Sequence, residues 1–428
     1  MTTLREPVKI GSLELKNRLY RAPVLEGAGS AKDPAAAYAR HFVPNAEAGL
    51  GLVIQGNTVV VPEGRTSTGM SYIDDRASML ALAPLPAAIH GAGGKIVIQL
   101  GHAGVFALDS WHRDFRPFRR TPPWAPSRLP RWLSPLHRPG GVHVPSTQEV
   151  ASLVARFGVV AAWAREAGYD GVQLAGANAK LLHYFLTPAI NRRRDRYGGD
   201  VIGRTALIRE IRAAIAREAG ADYPVLLKYP ALEWSPIGPS IDLAEGIEIA
   251  KLAELAGFDA VTPVHADVLP NTSIARGGFP ADSFRRRGVL HKLRQASGSP
   301  LRDRLTQIGL WLSTRRYPFA PVWNRPIFSA VKEAVSIPVF AVGGIRTPGE
   351  AASILTAGQA DLIGIGRPFY AEPDLSRRFL SESESASFLA ACESCNECIV
   401  PQIAGLPGLC YNPRLTKLRS RRAKQTPA

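Results

Sequence analysis

Eight short runs of apolar, largely β-branched residues recur along the chain, each ending in small or polar residues. They are "NRLYRAP" (17–23), "GLVIQGN" (51–57), "KIVIQLGH" (95–102), "DGVQLAG" (170–176), "PVLLKYP" (224–230), "DAVTPVH" (259–265), "PVFAVGG" (338–344) and "DLIGIGR" (361–367). Between them lie stretches with the 3.6-residue apolar period of a helix, such as 149–168 and 243–257. Uniformly apolar runs predict strands buried on both faces, as in a parallel sheet. Eight strand–helix units in succession predict an α/β fold closed as a (β/α)8 TIM barrel. An open doubly wound sheet is the alternative, and it is weaker because no GxGxxG follows any of the eight runs. The barrel is expected over residues 1–380, with insertions at about 105–140 and 280–325, and a cysteine-containing C-terminal extension over 381–428.

A barrel of this kind carries its chemistry at the C-terminal ends of its strands. Those ends read Pro23–Leu25, Asn57, Gln99 with His102, Asn178, Lys228, His265, Gly343–Gly344 and Gly366–Arg367. The glycines after the last two strands, with Arg367, suit an anion nest, because bare N–H groups there can face a phosphate.

Composition changes this picture in three places. The chain of 428 residues is 46% hydrophobic and 21% charged, which is globular, and its net charge is +16. The basic residues are scattered in short runs without any nucleic-acid-binding motif, so they read as a solvated surface and not as a nucleic-acid footprint. The stretch 111–138 is an exception, mixing arginines with Trp111, Trp124 and Trp132, as a lid or a subunit contact facing an anionic, bulky or lipid-like partner would. No apolar run is long enough to span a membrane and the N-terminus has no signal-peptide core, which points to the cytoplasm. All four cysteines, Cys392, Cys395, Cys398 and Cys410, sit together near the end. In a reducing compartment that grouping reads as metal ligands or redox groups.

Taken in order and spacing, several segments resemble the old yellow enzyme family of FMN-dependent NAD(P)H oxidoreductases. They are "LREPVKIGSLELKNRLYRAP", "PEGR", "IQLGHAG", "EAGYDGVQLAGANAKLLHYFLTPAINRRRDRYGGD" and "VGGIRTPGEAASILTAGQADLIGIGRPFYAEPDL". The resemblance implies an FMN lying over Ala22, Pro23, Val24 and Leu25. Gln99 would bond the pyrimidine edge, Asn57 would lie beside the ring, and Lys228 would stand where the family has an arginine near N1 and O2. Gly343, Gly344, Gly366 and Arg367 would hold the phosphate. It also implies a ping-pong reaction in which NAD(P)H reduces the flavin at N5 and the flavin then reduces an activated C=C bond.

The departures are specific. Where most of the family has a His, a second His or Asn three residues later and a Tyr two beyond, this chain has Ala175, Asn178 and Lys180. Lysine donates a proton usefully only if burial lowers its pKa. The chain is most similar to the 2,4-dienoyl-CoA reductase-like subgroup, which also lacks the first histidine and uses one after strand six. His265 in "VHADVLP" matches that position, and with Asn178 it would orient the substrate oxygen. His102 reads as support for the site and His183 as structural.

The subgroup binds a [4Fe–4S] cluster through C-x2-C-x3-C-x11-C, whereas this chain has C-x2-C-x2-C-x11-C followed by "YNP". The shorter spacing still allows a cubane; zinc, free thiols or a redox disulfide are the alternatives. The subgroup's FAD/NAD(P)H domain has no counterpart here, so either a separate reductase supplies electrons or NAD(P)H reduces FMN directly. The addition at 294–324 has the character of a lid. The expected function is thus reduction of an enone or enoyl thioester. The alternatives are oxidation of an amine or alcohol, or electron transfer alone. Homo-oligomerisation is left open.

Overall fold

The structure is a computed structural model that describes residues 2–108, 112, 122–130, 141–381 and 388–416. A hairpin of β1 (Val8–Ile10) and β2 (Leu13–Leu15) precedes eight further strands. These are β3 (Leu19–Arg21), β4 (Leu52–Val59), β5 (Lys95–Gly101), β6 (Val172–Ala175), β7 (Val225–Leu232), β8 (Ala260–His265), β9 (Phe340–Val342) and β10 (Leu362–Ile365). Those eight form one parallel sheet in the order β8-β7-β6-β5-β4-β3-β10-β9. A parallel bridge between Val261 and Val339 closes β8 onto the start of β9, with the Val261 N–H donating to the Pro338 carbonyl at 3.0 Å. The barrel is therefore complete, and each of the eight apolar runs supplies one stave.

Alternate residues face the two sides of each stave. Leu19, Val53, Ile96, Ile98, Val172, Leu174, Val225, Leu227, Val261 and Ile363 pack outward in the main core with the helices, among them Thr147–Glu166 and Val201–Ala219. Tyr20, Leu52, Ile54, Val97, Leu226, Ala260, Phe340 and Leu362 share a separate inner core with Ile10, Leu13 and Leu15 of the hairpin. The hairpin thus plugs the N-terminal end of the barrel with its apolar face. Its turn uses Gly11 at φ +57°, a left-handed conformation that favours glycine.

The insertion between β8 and β9 holds the helices Ala281–Arg285, Arg287–Ser297 and Pro300–Arg316. It reaches the barrel mouth through Tyr317 and the segment 320–324: Tyr317 packs edge-on against His265 and the Val322 N–H donates to the Gly344 carbonyl at 3.2 Å. Most of the basic stretch 111–138, with Trp111 and Trp132, lies outside the described residues; Trp124 is described, and its ring lies 5.7 Å from that of His102. Among the described residues no helix is long and apolar enough to cross a membrane.

Inside the barrel, a Cβ on Gly364 would sit 2.3 Å from the Tyr20 ring. Gly364→Ala is therefore expected to destabilise the fold by about 1–3 kcal/mol through overpacking. Gly349→Ala, whose Cβ meets nothing nearer than 3.9 Å, should be neutral or stabilising. Urea unfolding midpoints of the two variants check this.

Candidate active site

The C-terminal ends of the strands converge on a polar mouth above the apolar inner core. Gln99 Nε2 donates to Gln173 Oε1 at 2.8 Å, and Gln173 Nε2 donates to Thr262 Oγ1 at 3.4 Å, making a belt across β5, β6 and β8. Gln173 and Thr262 escaped the sequence reading, although both share the inward parity that Gln99 and Lys228 display. Lys228 lies in register between Ala175 and Thr262. Among the described residues no acceptor pairs with its ammonium, and burial pushes its pKa down to about 8.

At the end of β4 the pairing register shifts between Gln55 and Thr58, and this bulge re-aims Asn57. A Cβ on Gly101 would lie 2.8 Å from Asn57 Oδ1 and 2.9 Å from the Ala175 Cβ. Asn57, Gly101 and Ala175 therefore meet at one point of the mouth, and Asn57 Oδ1 is buried without a hydrogen-bond partner. Beside it, on the continuation of the neighbouring β3, Ala22 is buried while Pro23, Val24 and Leu25 are partly open, and Leu25 bridges Gly56. A Cβ on Gly366 would lie 3.3 Å from Val24.

Strand β6 ends in two consecutive non-glycine residues in the left-handed region, Asn178 at φ 65° and Ala179 at φ 54°. Such strain persists where the surroundings enforce it, and here a buried strut does so. The Ala179 N–H donates to His183 Nδ1 at 3.0 Å, which leaves Nε2–H to donate to Glu233 at 2.7 Å. Glu233 also accepts from Thr187 and from the Ile241 N–H. His183 is thus structural, and its strut sets the turn that exposes Asn178 and starts a helix at Lys180. Burial pushes Lys180 down to about 8 as well. His102, buried and pushed down to about 4 by that burial, accepts from the Gly104 N–H and stays neutral.

His265 is fully engaged within the protein. Its Nδ1 accepts from the Arg276 guanidinium at 2.9 Å, so Nε2 carries the proton and donates to Asp267 at 3.1 Å. Burial works against the Asp267 carboxylate, yet hydrogen bonds from His265, Tyr317 and Asn271 hold its pKa below the usual value. Both ring nitrogens thus have partners within the protein. Arg276, stacked on Trp323 at 4.3 Å, had no motif to mark it.

The glycine turns hold further surprises. Gly343 and Gly344 have φ +123° and +81°, and a Cβ on either would meet Trp323 at 2.9 Å. Close packing of the segment 320–324 alone therefore requires glycine there. Arg367 points away from the turn: its guanidinium donates to Asn396 and to the Arg276 carbonyl, and it lines a pocket with the cysteines.

Cys392, Cys395, Cys398 and Cys410 all border that pocket, together with Tyr370, Asn412 and Arg367, and no disulfide joins them. Ser394 and Asn396, between the first three cysteines, take φ 54° and 60°, so the short C-x2-C-x2-C loop is tightly coiled. Burial raises the Cys398 thiol to about 12 and raises Cys395 too. Among the described residues no three His, Cys, Asp or Glu side chains are grouped closely enough for a single metal ion.

The barrel mouth fits a flavin in donor chemistry. It offers an orphaned buried amide oxygen, an unpaired ammonium beside an amide belt, and a partly open segment at Pro23, Val24 and Leu25. A family model for the NADH:flavin oxidoreductase / NADH oxidase family matches residues 3–302 and 311–385. The chain belongs to that family. It is 28% identical over 93% of its length to a metal reductase of Desulforamulus reducens and 27% identical over 91% to an NADH oxidase of Thermoanaerobacter brockii. It spans 51% and 52% of those relatives, about half their length. The fold also matches a 2-naphthoyl-CoA reductase structure with a TM-score of 0.76 at 20% identity, over 97% of this chain and 57% of that one. These likenesses agree with a flavin oxidoreductase barrel of the old yellow enzyme type.

The strut beneath the β6 turn is testable. Glu233→Ala strands three buried donors and should cost at least about 3 kcal/mol at about 1–3 kcal/mol per unsatisfied group, measured by chemical denaturation. An unchanged midpoint would remove the strut from the account.

Proposed function

We propose that this chain is an FMN-dependent NAD(P)H oxidoreductase that reduces a C=C bond conjugated to a carbonyl, as in an enone or an enoyl thioester. When bound, FMN supplies two-electron hydride transfer between a nicotinamide and an acceptor. The observation that carries this reading is the unpaired, partly buried Lys228 beside the Gln99 belt, a preset cation for an electron-rich ring edge. Gln99 and Asn57 would hold the pyrimidine side, positions 22–25 the face, and the N–H groups of Gly343, Gly344 and Gly366 the phosphate. Arg367 would act at a distance, through its contacts to the cysteine loop.

Asn178 is exposed at the strained turn and would suit a hydrogen bond to the substrate oxygen. Lys180, protonated at neutral pH and poised near 8, can hand a proton to the developing carbanion. His265 works as a positioning residue, since its bonds to Arg276 and Asp267 fix the wall of the mouth. The family's NADH oxidase relative favours direct reduction by a nicotinamide.

The four thiols suit a [4Fe–4S] centre better than zinc. A cubane spreads its four sulfurs over a larger volume than a single tetrahedral ion does. The raised thiols also imply that a bound cation is needed to draw off their protons.

Protein purified without oxygen is expected to show FMN bands plus a broad iron–sulfur absorption, with iron and sulfide on analysis, and to bleach rapidly with NADH or NADPH. A colourless preparation would sink the reading, and bleaching by an amine alone would reverse the direction of the reaction. The lowered Lys180 pKa gives a second expectation. The charged donor is present below about 8 and lost above it, so acceptor reduction should fall as pH rises through that value. Lys180→Met should remove this alkaline limb and slow the acceptor half-reaction by about 10²–10⁴. Stopped-flow measurement of the two half-reactions separates this from any loss at Lys228.

A further inference from the structure

The helix Pro300–Arg316 carries its apolar stripe on the face turned away from the protein, while its inward face is mostly polar, with Asp303, Gln307 and Thr314 beside Leu310. Its inner face, with Leu310 and Thr314, packs against the helix Arg287–Ser297 and its surroundings. Its outer face carries Leu301, Leu305, Ile308 and Leu312, which are 67%, 57%, 47% and 55% exposed. Their spacing of four, three and four residues puts them on a single meridian of an α-helix. At 100° per residue, Arg304 and Arg315 fall along one border of that meridian and Arg302 and Arg316 along the other, and all four are exposed. Two of these arginines stack on tryptophans: Arg315 lies 3.9 Å above Trp311 and Arg316 lies 3.6 Å above Trp234.

Charge selects the occupant of this stripe. Segment 285–316 holds nine Lys and Arg against the single acid Asp303, a net +8, which is half the +16 of the whole chain. Asp303 is buried, so the exposed surface is uniformly basic. A second copy docking stripe to stripe would bring two arginine borders together, with no acid on either to offset them. An anionic surface is the complement. A bilayer interface also accepts a convex apolar stripe without a matching groove, while flanking arginines reach the headgroup phosphates and tryptophans sit at the boundary.

We propose that the outer face of the helix Pro300–Arg316 is a docking surface for an anionic lipid bilayer, lying in the plane of the headgroups. It adjoins the barrel mouth. Arg316 stacks on Trp234, whose backbone N–H donates to Asp267 at 3.2 Å, and Asp267 is the partner of His265. Docking would therefore bring the opening of the barrel close to the membrane surface, the source from which an apolar acceptor would come.

Flotation of the purified holoprotein with vesicles tests this, using phosphatidylcholine alone and phosphatidylcholine mixed with phosphatidylglycerol. The expected result is flotation with the phosphatidylglycerol vesicles only and release by high salt. Leu305→Glu/Ile308→Glu should abolish flotation, and Arg304→Gln or Arg315→Gln should each weaken it about fivefold. These sites are exposed, so circular dichroism and thermal unfolding should be unchanged, which confirms that the variants are folded. Three results would overturn the proposal: no flotation with anionic vesicles, equal flotation of the double variant, or a wild-type dimer that the double variant splits by light scattering. The last would assign the stripe to a second copy, and failure with vesicles would leave it to an acidic protein.

Discussion

The inner core of this barrel is crossed by the Tyr20 ring, and much else follows from the space that ring fills. The ring occupies the space in which a side chain at position 364 would stand, and it packs 5.0 Å from Phe340. Below it the inward residues are apolar and close against the N-terminal hairpin, so water and charge are excluded from that end. Above it the inward residues turn polar, and Gln99, Gln173 and Thr262 satisfy one another. A packed barrel has no lumen to hold a ligand. Chemistry is therefore confined to the mouth, where β4 bulges and β6 ends in a strained turn.

The cysteine extension is seated on that same mouth by contacts that only glycine permits. A Cβ on Gly277 would collide with the Ser394 carbonyl at 1.9 Å, and one on Gly408 would meet the Leu25 carbonyl at 2.3 Å. Glu397, between Asn396 and Cys398, accepts from the Asp282 and Ser283 amides at the start of the first inserted helix. Tyr370 donates to the Leu25 carbonyl and accepts from Gln402. Arg367 joins Asn396 to the backbone of Arg276, which in turn holds His265. The thiol pocket and the barrel mouth therefore share a backbone frame.

The staves were legible because a strand buried on both faces leaves an uninterrupted apolar run; each of the eight runs overlaps an observed strand, and the helix expected at 243–257 spans Leu243–Leu255. The hairpin was missed although its signal was present: apolar residues at 8, 10, 13 and 15 flank a Gly11–Ser12 turn. The mouth was legible where parity and strand ends mark residues, as for Asn57, Gln99 and Lys228. It was illegible where partners arrive from the long β8–β9 insertion. Nothing local in "ARGG" says that Arg276 will occupy His265, and nothing in "GIGR" says that Arg367 will turn to a loop about 30 residues later. Such pairings depend on tertiary closure, which spacing along the chain does not encode.

One physical effect acts at both centres, with opposite consequences for what each can receive. Burial disfavours charge, so it lowers the ammoniums of Lys180 and Lys228 and raises the thiols of Cys395 and Cys398. An unpaired polar group in such a place is unfavourable until an opposite charge arrives. At the mouth an electron-rich group would relieve this, whereas the buried thiols are neutral and would give up their protons to a cationic metal centre. The two sites are thus distinguished by the sign of what completes them, on the same desolvated frame. Arg367 lowers Cys398 from the side while burial raises it more strongly. Burial thus favours the neutral thiol, and a metal centre that binds the sulfur would favour the thiolate instead.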